Sequence, residues 1–424
     1  MNVLCLGTGE YTTGWVGKAA DSDKSTGVVG LVMLDLRKRG KVGRIGICGT
    51  NGTKLPAIRR HLQRVIGDVY EGLDPSCMET YPADDVVDRK AYLQALTHFK
   101  AGDCAIIFTP DDTHFDIASA CLERGLHVMI TKPPVKTLKE HSVLAAKAKA
   151  KGCVCVVEVH KRFDPIYKDA KDRIHRGDLG DFSFFQSYMS QPKHQLETFK
   201  AWAGKSSDIS YYLNSHHVDF HEWAVRTFAR PERVTAFAST GVATKKLDGV
   251  DTEDAITLAV EWRNLKTNTK GHALHTSSWI AAKGDVHSQQ RFFYVGTSGE
   301  ITVDQAHRGY TVTTDENGYT SSNPLFWKPA PSADGRFAGQ HCYGYLSFEH
   351  FIDAAAAVNQ GTPLADIGDL PTIATTAGAT AVLEAGRISL DNNSTPVDLL
   401  YDHPTASTPV DLKLATSSSS SSSS

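Results

Sequence analysis

The chain has 424 residues, which is too long for one simple domain and fits two or three domains of about 150 residues each. Its 45 Lys and Arg residues nearly balance its 48 Asp and Glu residues, so the formal net charge is −3. That balance offers no basic surface for nucleic acid or for an anionic membrane. No apolar run reaches the ~18 residues that a membrane-spanning helix needs. We therefore expect a soluble protein with neither nucleic-acid nor membrane partners.

The chain opens on the apolar run MNVLCLGTG, without the basic region and cleavage site of a signal peptide. We interpret residues 2–6 as a first strand and expect a cytoplasmic protein. The eight cysteines lie mostly in apolar runs, which favours buried free thiols. Cys153 and Cys155 lack further soft ligands nearby in sequence, so we expect no metal there.

Residues 1–155 alternate short apolar strands with helical segments. The strands are predicted at 2–6, 43–48, 104–108, 127–131 and 153–159, and the helices at 54–67, 113–124 and 137–151. A segment compatible with a helix also follows Gly14. Such alternation is typical of a parallel, doubly wound sheet with helices on both faces. The sequence therefore predicts an N-terminal Rossmann domain that binds a dinucleotide.

The pattern changes after about residue 165. Longer strands are predicted at 181–190, 232–242, 254–262, 271–280, 290–296 and 300–304, and helices at 165–176, 214–227, 345–358 and 371–390. Gly299 is predicted to mark a hairpin turn. We predict a second α/β domain over 156–410, with a large, mostly antiparallel open sheet, for substrate binding and oligomerisation. Its C-terminal helices can pack back on the first domain, and the Ser-rich residues 411–424 are expected to be a disordered or tag-like tail.

A glycine cluster follows the first predicted strand, with Gly7, Gly9 and Gly14 spaced as G-x-G-x-x-x-x-G. Dinucleotide sites need glycine here because the backbone must approach the pyrophosphate closely. The spacing departs from the usual G-x-G-x-x-G, but its position after a first strand favours cofactor binding over a plain turn. The predicted contacts from this loop are those of Gly7, Gly9, Glu10, Tyr11 and Thr12.

The end of the second strand often carries an acidic residue for the ribose of NAD. Here residues 48–54 contain no carboxylate but offer Thr50, Asn51 and Lys54, and Arg59 and Arg60 follow in the next helix. A 2′-phosphate would meet donors and no repelling charge. We therefore predict NADP as the cofactor, with NAD as a further possibility; the alternative is a solvated turn beside a charged helix face.

Several motifs occur in an order that resembles the Gfo/Idh/MocA oxidoreductases. They are IFTPDDTH (107–114), HVMITKPP (127–134), VEVHKRFDPIY (157–167), RGDLGDF (176–182) and GTSGEITVD (296–304). The family's Glu-Lys-Pro reads Thr131-Lys132-Pro133, so the acidic residue is lost. The resemblance implies cofactor contacts from Thr109, Pro110, His114, Lys132 and Pro133, a cis bond before Pro133, and a homodimer formed through the C-terminal sheet.

A helical motif D-x-x-x-H-x-x-D carries a catalytic pair in that family. His216 and Asp219 match it, but Tyr212 stands where the family has Asp. The resemblance implies that Lys132 is the proton donor or the cation that stabilises the oxyanion, and that His216 is a second donor or a relay. Asp219 is expected to orient His216 or to bind a sugar hydroxyl. Tyr212 is a candidate for hydrogen bonding to substrate, or a packing aromatic with Asp208 or Asp219 supplying the charge. His216 and Asp219 share one helix face while His217 and His221 share another, so we predict no metal site.

Substrate contacts are assigned to Lys132, Lys161, Arg162, Tyr212, His216 and His217. Lys161 and Arg162 are the cations expected to meet an acidic sugar, although Arg162 can instead hold the domain interface.

Residues 1–14, 189–217 and 340–351 resemble the fungal D-galacturonate reductases of the family. This resemblance implies reduction of the C1 aldehyde of D-galacturonate to L-galactonate with NADPH, a step in pectin catabolism. Three alternatives stay open: another sugar or polyol dehydrogenase, a non-catalytic regulator that binds dinucleotide, and redox-neutral glycoside hydrolysis.

Overall fold

The computed structural model describes residues 1–17, 24–284, 286, 288–316, 318–321, 323–328 and 330–415. The eight terminal serines lie outside the described residues. Within the described ranges, no helix is long and apolar enough to cross a membrane.

A six-stranded parallel sheet forms the N-terminal domain, in the order β3-β2-β1-β4-β5-β6. Its strands are β1 (Val3–Leu6), β2 (Ile45–Cys48), β3 (Met78–Tyr81), β4 (Cys104–Ile107), β5 (His127–Thr131) and β6 (Cys155–Glu158). Its helices are α1 (Glu10–Thr13), α2 (Val29–Lys38), α3 (Leu55–Leu62), α4 (Ala91–Leu96), α5 (His114–Glu123) and α6 (Leu138–Lys151). Every residue of β1, β2, β4 and β6 is buried, because helices cover both faces. This confirms the doubly wound fold, and β6 carries the first sheet three residues past position 155.

The helix that follows the glycine loop is interrupted. Helix α1 makes one turn and ends at Gly14, whose φ of +73° is left-handed. A Cβ at Gly14 would meet the Ser25 carbonyl oxygen at 2.1 Å, so only glycine fits this close approach. The chain returns at Val28, whose N–H donates to the Tyr11 carbonyl oxygen at 2.7 Å, and α2 continues. The helical segment expected after Gly14 corresponds to α2, whereas the short α1 before Gly14 was not expected from the sequence.

The second domain is built on an eight-stranded sheet in the order β12-β11-β7-β10-β9-β8-β15-β16. Its strands are β7 (Phe182–Pro192), β8 (Ala229–Thr240), β9 (Glu253–Asn264), β10 (Lys270–Ala281), β11 (Gln289–Gly296), β12 (Gly299–Asp304), β15 (Val397–Leu400) and β16 (Asp411–Leu414). Strands β13 (Thr311–Thr314) and β14 (Gly318–Ser321) form a separate hairpin. Strands β7 and β10 are parallel and the other pairs antiparallel, which confirms the predicted mostly antiparallel sheet.

Two details of the second sheet bear on the sequence predictions. Gly296 pairs with Gly299 across the β11–β12 hairpin, as the predicted turn requires. Strand β16 pairs with β15, so residues 411–414 belong to the sheet and the tail predicted from 411 begins too early.

Helices line one face of this sheet and join it to the first domain. They are α7 (Pro165–Arg176), α8 (Leu196–Phe199), α9 (Ser215–Val225), α10 (Val242–Lys246), α11 (Tyr343–Asn359) and α12 (Ala377–Asp391). Every residue of α9 is buried, because this helix lies between α7, α12 and the sheet. Helix α11 packs on the Rossmann domain, where the Tyr345 hydroxyl donates to Asp35 at 2.6 Å.

Candidate active site

The candidate site lies where the strands of the parallel sheet end. Gly7 follows β1, Thr109 follows β4, Lys132 follows β5 and His160 follows β6. The carboxyl ends of parallel strands meet at one edge, which is where open α/β sheets bind ligands. Helix α9 of the second domain brings His216 to the same edge.

The glycine loop has the geometry of a dinucleotide cradle. Gly7 has φ +107°, and a Cβ there would meet the Phe108 carbonyl oxygen at 2.0 Å. A Cβ at Gly9 would meet nothing within 4 Å, which leaves room for a ligand against the backbone. Tyr11 stacks on Phe108 at 4.8 Å between ring centroids. Of the predicted contacts, Gly9 is exposed, Gly7, Glu10 and Tyr11 are half-buried, and Thr12 is buried.

The loop after β2 carries Thr50, Asn51 and Lys54, all at least partly exposed. The Asn51 side chain accepts from the Thr53 N–H at 3.0 Å and so shapes the turn. The Asp88 N–H donates to the Thr50 carbonyl oxygen at 2.9 Å, which brings a carboxylate-bearing segment beside this loop.

That neighbouring segment changes the charge expected near the adenosine ribose. The sequence places no carboxylate within residues 48–54, but Asp88 lies beside Thr50. Burial raises the pKa of the Cys48 thiol, and the charge of Asp88 raises it further. Arg59 is not free for a phosphate, because it pairs with Asp84 at 2.5 Å. Lys54 and Arg60 remain exposed.

His114, predicted as a cofactor contact, has its ring held between two loops of the protein. Its side chain is fully buried. Nδ1 lies 2.9 Å from the Pro133 carbonyl oxygen and Nε2 lies 2.8 Å from the Thr109 carbonyl oxygen. His114 therefore ties the loop after β4 to the loop after β5, and the bond between Lys132 and Pro133 is cis.

Lys132 projects from the end of β5 towards the segment before α9. Its Nζ donates to the Tyr212 carbonyl oxygen and lies 4.3 Å from the centroid of the Tyr212 ring. Burial lowers the pKa of Lys132 to about 8, although Asp111 and Glu158 act in the opposite direction. An amine that titrates so near neutrality is suited to proton transfer.

Tyr212 belongs to a π-helical turn, Ser210–Asn214, that leads into α9. Such wide turns often occur at functional sites. The Tyr212 ring packs against Trp202 at 4.9 Å and Phe199 at 5.3 Å between centroids. Its ring and its carbonyl group together hold Lys132 in place.

His216 is buried on α9, and its ring centroid lies 5.2 Å from that of His160. Burial lowers the pKa of His216 well below its usual range, and the nearby Lys132 and His160 reinforce the shift. His216 is therefore a neutral imidazole near pH 7. Its Nδ1 is buried without a hydrogen-bond partner among the described residues, which leaves it available to a ligand.

Asp219 does not orient His216, contrary to the sequence expectation. Both of its carboxylate oxygens accept from Arg162, at 2.9 Å from Nε and 2.7 Å from Nη2. Both side chains are buried. Arg162 thus joins the turn after β6 to α9, as expected if it holds the domain interface. Its guanidinium is already paired and is not a substrate contact.

Lys161 is buried, and its Nζ donates to the side-chain oxygens of Gln290, at 2.5 Å, and Gln305. Its Nζ also lies 4.8 Å from the centroid of the Tyr167 ring. Burial lowers the pKa of Lys161 to about 7, and the charge on Lys132 contributes in the same direction. The two lysines therefore lie close enough to influence each other.

Two further predicted residues are held by protein groups. His217 is fully buried, and its Nε2 lies 2.8 Å from the hydroxyl of Tyr167, whose ring also packs on Lys161. Asp208 does not replace the missing charge, because Oδ1 accepts from the Ser210 and Tyr211 N–H groups and Oδ2 meets Arg387 at 3.3 Å.

The site contains residues that the sequence reasoning missed. His160 stacks on Tyr343 at 5.7 Å, and Glu158 lies 3.3 Å from His160 Nδ1. The signal for Glu158 was visible, because it is a charged residue in an otherwise apolar strand. Gln290 and Gln305 reach the site only through the fold of the second sheet, and no local pattern indicates them.

Two family models match the chain. "Oxidoreductase family, NAD-binding Rossmann fold" covers residues 43–159, and "GFO/IDH/MocA C-terminal domain" covers residues 167–302. Together they match more than half of the chain. The protein therefore belongs to the GFO/IDH/MocA family of oxidoreductases, and its first domain has the NAD-binding fold of that family.

Curated relatives match parts of the chain. An uncharacterized oxidoreductase of Escherichia coli, YdgJ, is 34% identical over 31% of this chain and 38% of its own length. The NADP-dependent scyllo-inositol 2-dehydrogenase IolW of Bacillus subtilis is 29% identical over 37% of this chain and 42% of its own length. The chain thus spans less than half the length of each of these two relatives.

Solved structures share the whole fold. The crystal structure of myo-inositol 2-dehydrogenase from Lactobacillus plantarum has a TM-score of 0.65 at 16% identity, covering 94% of this chain and 99% of that one. The scyllo-inositol dehydrogenase of Lactobacillus casei with bound NAD(H) and scyllo-inositol has a TM-score of 0.62 at 16% identity, covering 94% and 98%. At this identity the likeness establishes the fold alone.

Proposed function

We propose that this chain is an NAD(P)H-dependent reductase of a sugar acid aldehyde, with D-galacturonate reduced to L-galactonate as the leading reaction. One observation carries the proposal: Lys132, Lys161 and His216 gather at the carboxyl edge of a Rossmann sheet. A substrate that carries both a carbonyl group and a carboxylate needs a proton donor for the carbonyl oxygen and a cation for the carboxylate.

The bound cofactor supplies the hydride, and the protein supplies position and protons. Lys132 donates the proton to the oxygen on which charge develops, because a pKa of about 8 leaves it largely protonated at neutral pH. His216, which is neutral there, donates or accepts a hydrogen bond at the same oxygen. Tyr212 holds the ammonium of Lys132 in place and contributes no charge of its own.

The cofactor fits the loop at Gly7 and Gly9, where the open space at the Gly9 Cβ position admits a pyrophosphate. The exposed Lys54 supports NADP, and the nearby Asp88 supports NAD, so we keep NADP as the proposed cofactor and NAD as a second one.

A second candidate is the oxidation of a neutral polyol. The Bacillus relative and the two solved structures are all inositol dehydrogenases, which favours this candidate. The side-chain amides of Gln290 and Gln305 also suit hydroxyl groups. A purely regulatory role fits less well, because Lys132 and His216 meet in one pocket, as a reacting site requires.

The test is NAD(P)H absorbance with uronates, neutral aldoses and inositols, measured in both directions. We expect the highest kcat/KM for reduction of a uronate. Preferential oxidation of an inositol would select the second candidate.

We also propose that two copies pair through the open face of the eight-stranded sheet. Aromatic side chains that face away from the core support this: Phe184 lies 6.4 Å from Phe293, and Phe237 is 54% exposed. Clusters of exposed aromatic residues are typical of surfaces that associate.

A further inference from the structure

The site lacks a carboxylate where the family motif has one. Tyr212 fills that position, Asp219 is bound by Arg162, and Asp208 is bound by backbone N–H groups and Arg387. Any negative charge that acts on Lys132 and His216 must therefore come from a different residue.

Glu158 offers that charge from a different element. It is the last residue of β6, only 3% exposed, and it pairs in register with Thr131, the residue directly before Lys132. The Ser347 hydroxyl donates to its Oε1 at 3.2 Å, and His160 Nδ1 lies 3.3 Å from the same atom. The Glu158 carboxylate thus faces a hydroxyl donor and an imidazole nitrogen at the carboxyl edge of the sheet.

His160 connects this carboxylate to the reacting pair. Nδ1 of His160 faces Glu158, and Nε2 lies on the opposite edge of the ring. The ring lies 5.2 Å from the His216 ring, and the His160 side chain is 14% exposed, which gives it access to water.

Other charged groups also act on Lys132. Asp111, on the loop after β4, raises the pKa of Lys132 more than Glu158 does. The positive charges of Lys161 and Lys132 repel each other, so Lys161 opposes the effect of the two carboxylates, and His216 is neutral. Of the two carboxylates, Glu158 is the one that also contacts His160.

We propose that Glu158 is the positioning carboxylate of this site, serving Lys132 through charge and His216 through His160. The proposal rests on the reductase function proposed above. It assigns to β6 the role that the family motif assigns to the helix carrying His216.

The proton balance of the reduction shows what Glu158 contributes. The hydride pair forms the new C–H bond, the carbonyl π pair moves to oxygen, and this oxygen takes a proton from Lys132 Nζ. The neutral amine then regains a proton from water. A nearby carboxylate favours the ammonium form and so keeps the donor charged between turnovers.

The test compares Glu158→Gln with Glu222→Gln, a matched control in which another buried carboxylate, on α9 and away from Lys132, is neutralised. The first readout needs no turnover: acylation of Lys132 by acetic anhydride is followed by mass spectrometry as a function of pH. We expect the midpoint to fall by about one pH unit in Glu158→Gln and to stay unchanged in Glu222→Gln.

The second readout is the pH profile of kcat with a turned-over substrate. A fall of one unit, from a pKa of about 8, lowers kcat about fivefold at pH 8 and hardly at pH 6. Glu158→Asp should retain both the wild-type midpoint and the wild-type profile. His160→Gln should lower kcat about tenfold across the pH range and leave the acylation midpoint unchanged.

An acylation midpoint that moves in Asp111→Asn but not in Glu158→Gln would overturn the proposal, as would equal shifts in Glu158→Gln and Glu222→Gln. If wild-type protein reduces none of the sugars, the reductase function fails. The acylation midpoints still decide whether Glu158 serves Lys132.

Discussion

Lys161 and Arg162 are neighbours on the turn after β6, but their cations meet different partners. Two neutral amide groups hold Lys161, whereas the carboxylate of Asp219 holds Arg162 in a bidentate pair. An ammonium bound only by amides keeps its charge available to an anionic ligand. A guanidinium already paired with a carboxylate does not, so we expect the two residues to differ in substrate selectivity.

Lys161→Ala should raise the KM of a uronate by about 10- to 150-fold, which corresponds to the loss of one charge-assisted contact of ~1.5–3 kcal/mol. A neutral aldose should change much less. In the wild type, the uronate KM should rise with pH above about 7, because Lys161 loses its proton there, and this rise should vanish in the variant. Steady-state kinetics between pH 6 and 9 measure both effects.

Arg162→Ala is the matched comparison. Removing one partner of a buried ion pair costs ~3–5 kcal/mol of stability, so thermal melting should shift downwards while both substrates lose activity alike. If Arg162→Ala selectively weakens the uronate and Lys161→Ala does not, the assignment of the two cations is reversed.

Tyr212 is a neutral residue at a position where a carboxylate would face an acidic substrate. Tyr212→Phe should reduce kcat only a few-fold, because the ring that packs on Lys132 is retained. Tyr212→Asp should raise the uronate KM sharply through like-charge repulsion. Improved uronate turnover in Tyr212→Asp would show that this position carries no information about the substrate.

At the level of the elements, the loop after β2 shows how chain topology adds charge that a sequence window cannot reveal. Thr50 and Lys54 lie on this loop, and Asp88 comes from the segment after β3, held there by its N–H bond to the Thr50 carbonyl. The positive charge of Lys54 favours NADP, whereas the negative charge of Asp88 favours NAD.

Lys54→Ala should lower the ratio of NADPH to NADH efficiency, and Asp88→Ala should raise it. The change expected in each is about tenfold, the scale of one exposed charge-assisted contact. The measurement is kcat/KM for both cofactors in the two variants. An unchanged ratio in both would place the 2′-position of the ribose away from this loop.

Much of the architecture follows from local sequence patterns, because strand and helix periodicity are local properties. The strands that end at Leu6, Ile107 and Thr131 were predicted to within one or two residues, and with them the edge that carries the site. The one-turn helix α1 before Gly14 was not predicted, since its end depends on the close packing of Gly14 against Ser25.

The site was predictable where a motif names a residue and unpredictable where the fold supplies one. Lys132 and His216 stand in recognisable motifs. Gln290 and Gln305 reach Lys161 only because β11 and the end of β12 cross the same pocket. Asp219 matches its motif, yet in the structure it pairs with Arg162. The motif could not predict this pair, because it does not specify which cation packs against α9.

At the scale of the whole molecule, the two domains contribute different parts of the proposed active site. The Rossmann domain supplies the cofactor loop and Lys132, and the second domain supplies His216 and the amides around Lys161. Helix α11 joins the two, through Tyr345 with Asp35 and through Glu349 with Lys41 at 2.7 Å. The outer face of the eight-stranded sheet is the surface that we propose for association.

If that face forms a homodimer, light scattering should give twice the mass of a single chain. Phe237→Glu and Phe184→Glu should each convert the protein to monomer, because a buried unpaired charge is costly at an apolar interface. A surface charge change at the exposed Lys54 should leave the mass unchanged. A wild-type monomer, or a dimer insensitive to both substitutions, would contradict the proposed interface.

The central claim is that Lys132 gives the proton in an NAD(P)H-dependent reduction of a uronate. The most direct measurement is NADPH oxidation with D-galacturonate by the wild type and by Lys132→Met, with NADPH binding followed by fluorescence in both. We expect measurable turnover in the wild type, declining above about pH 8 as Lys132 loses its proton. Turnover should fall by at least 10²-fold in Lys132→Met, and both proteins should still bind NADPH. Near-wild-type turnover in Lys132→Met would contradict it.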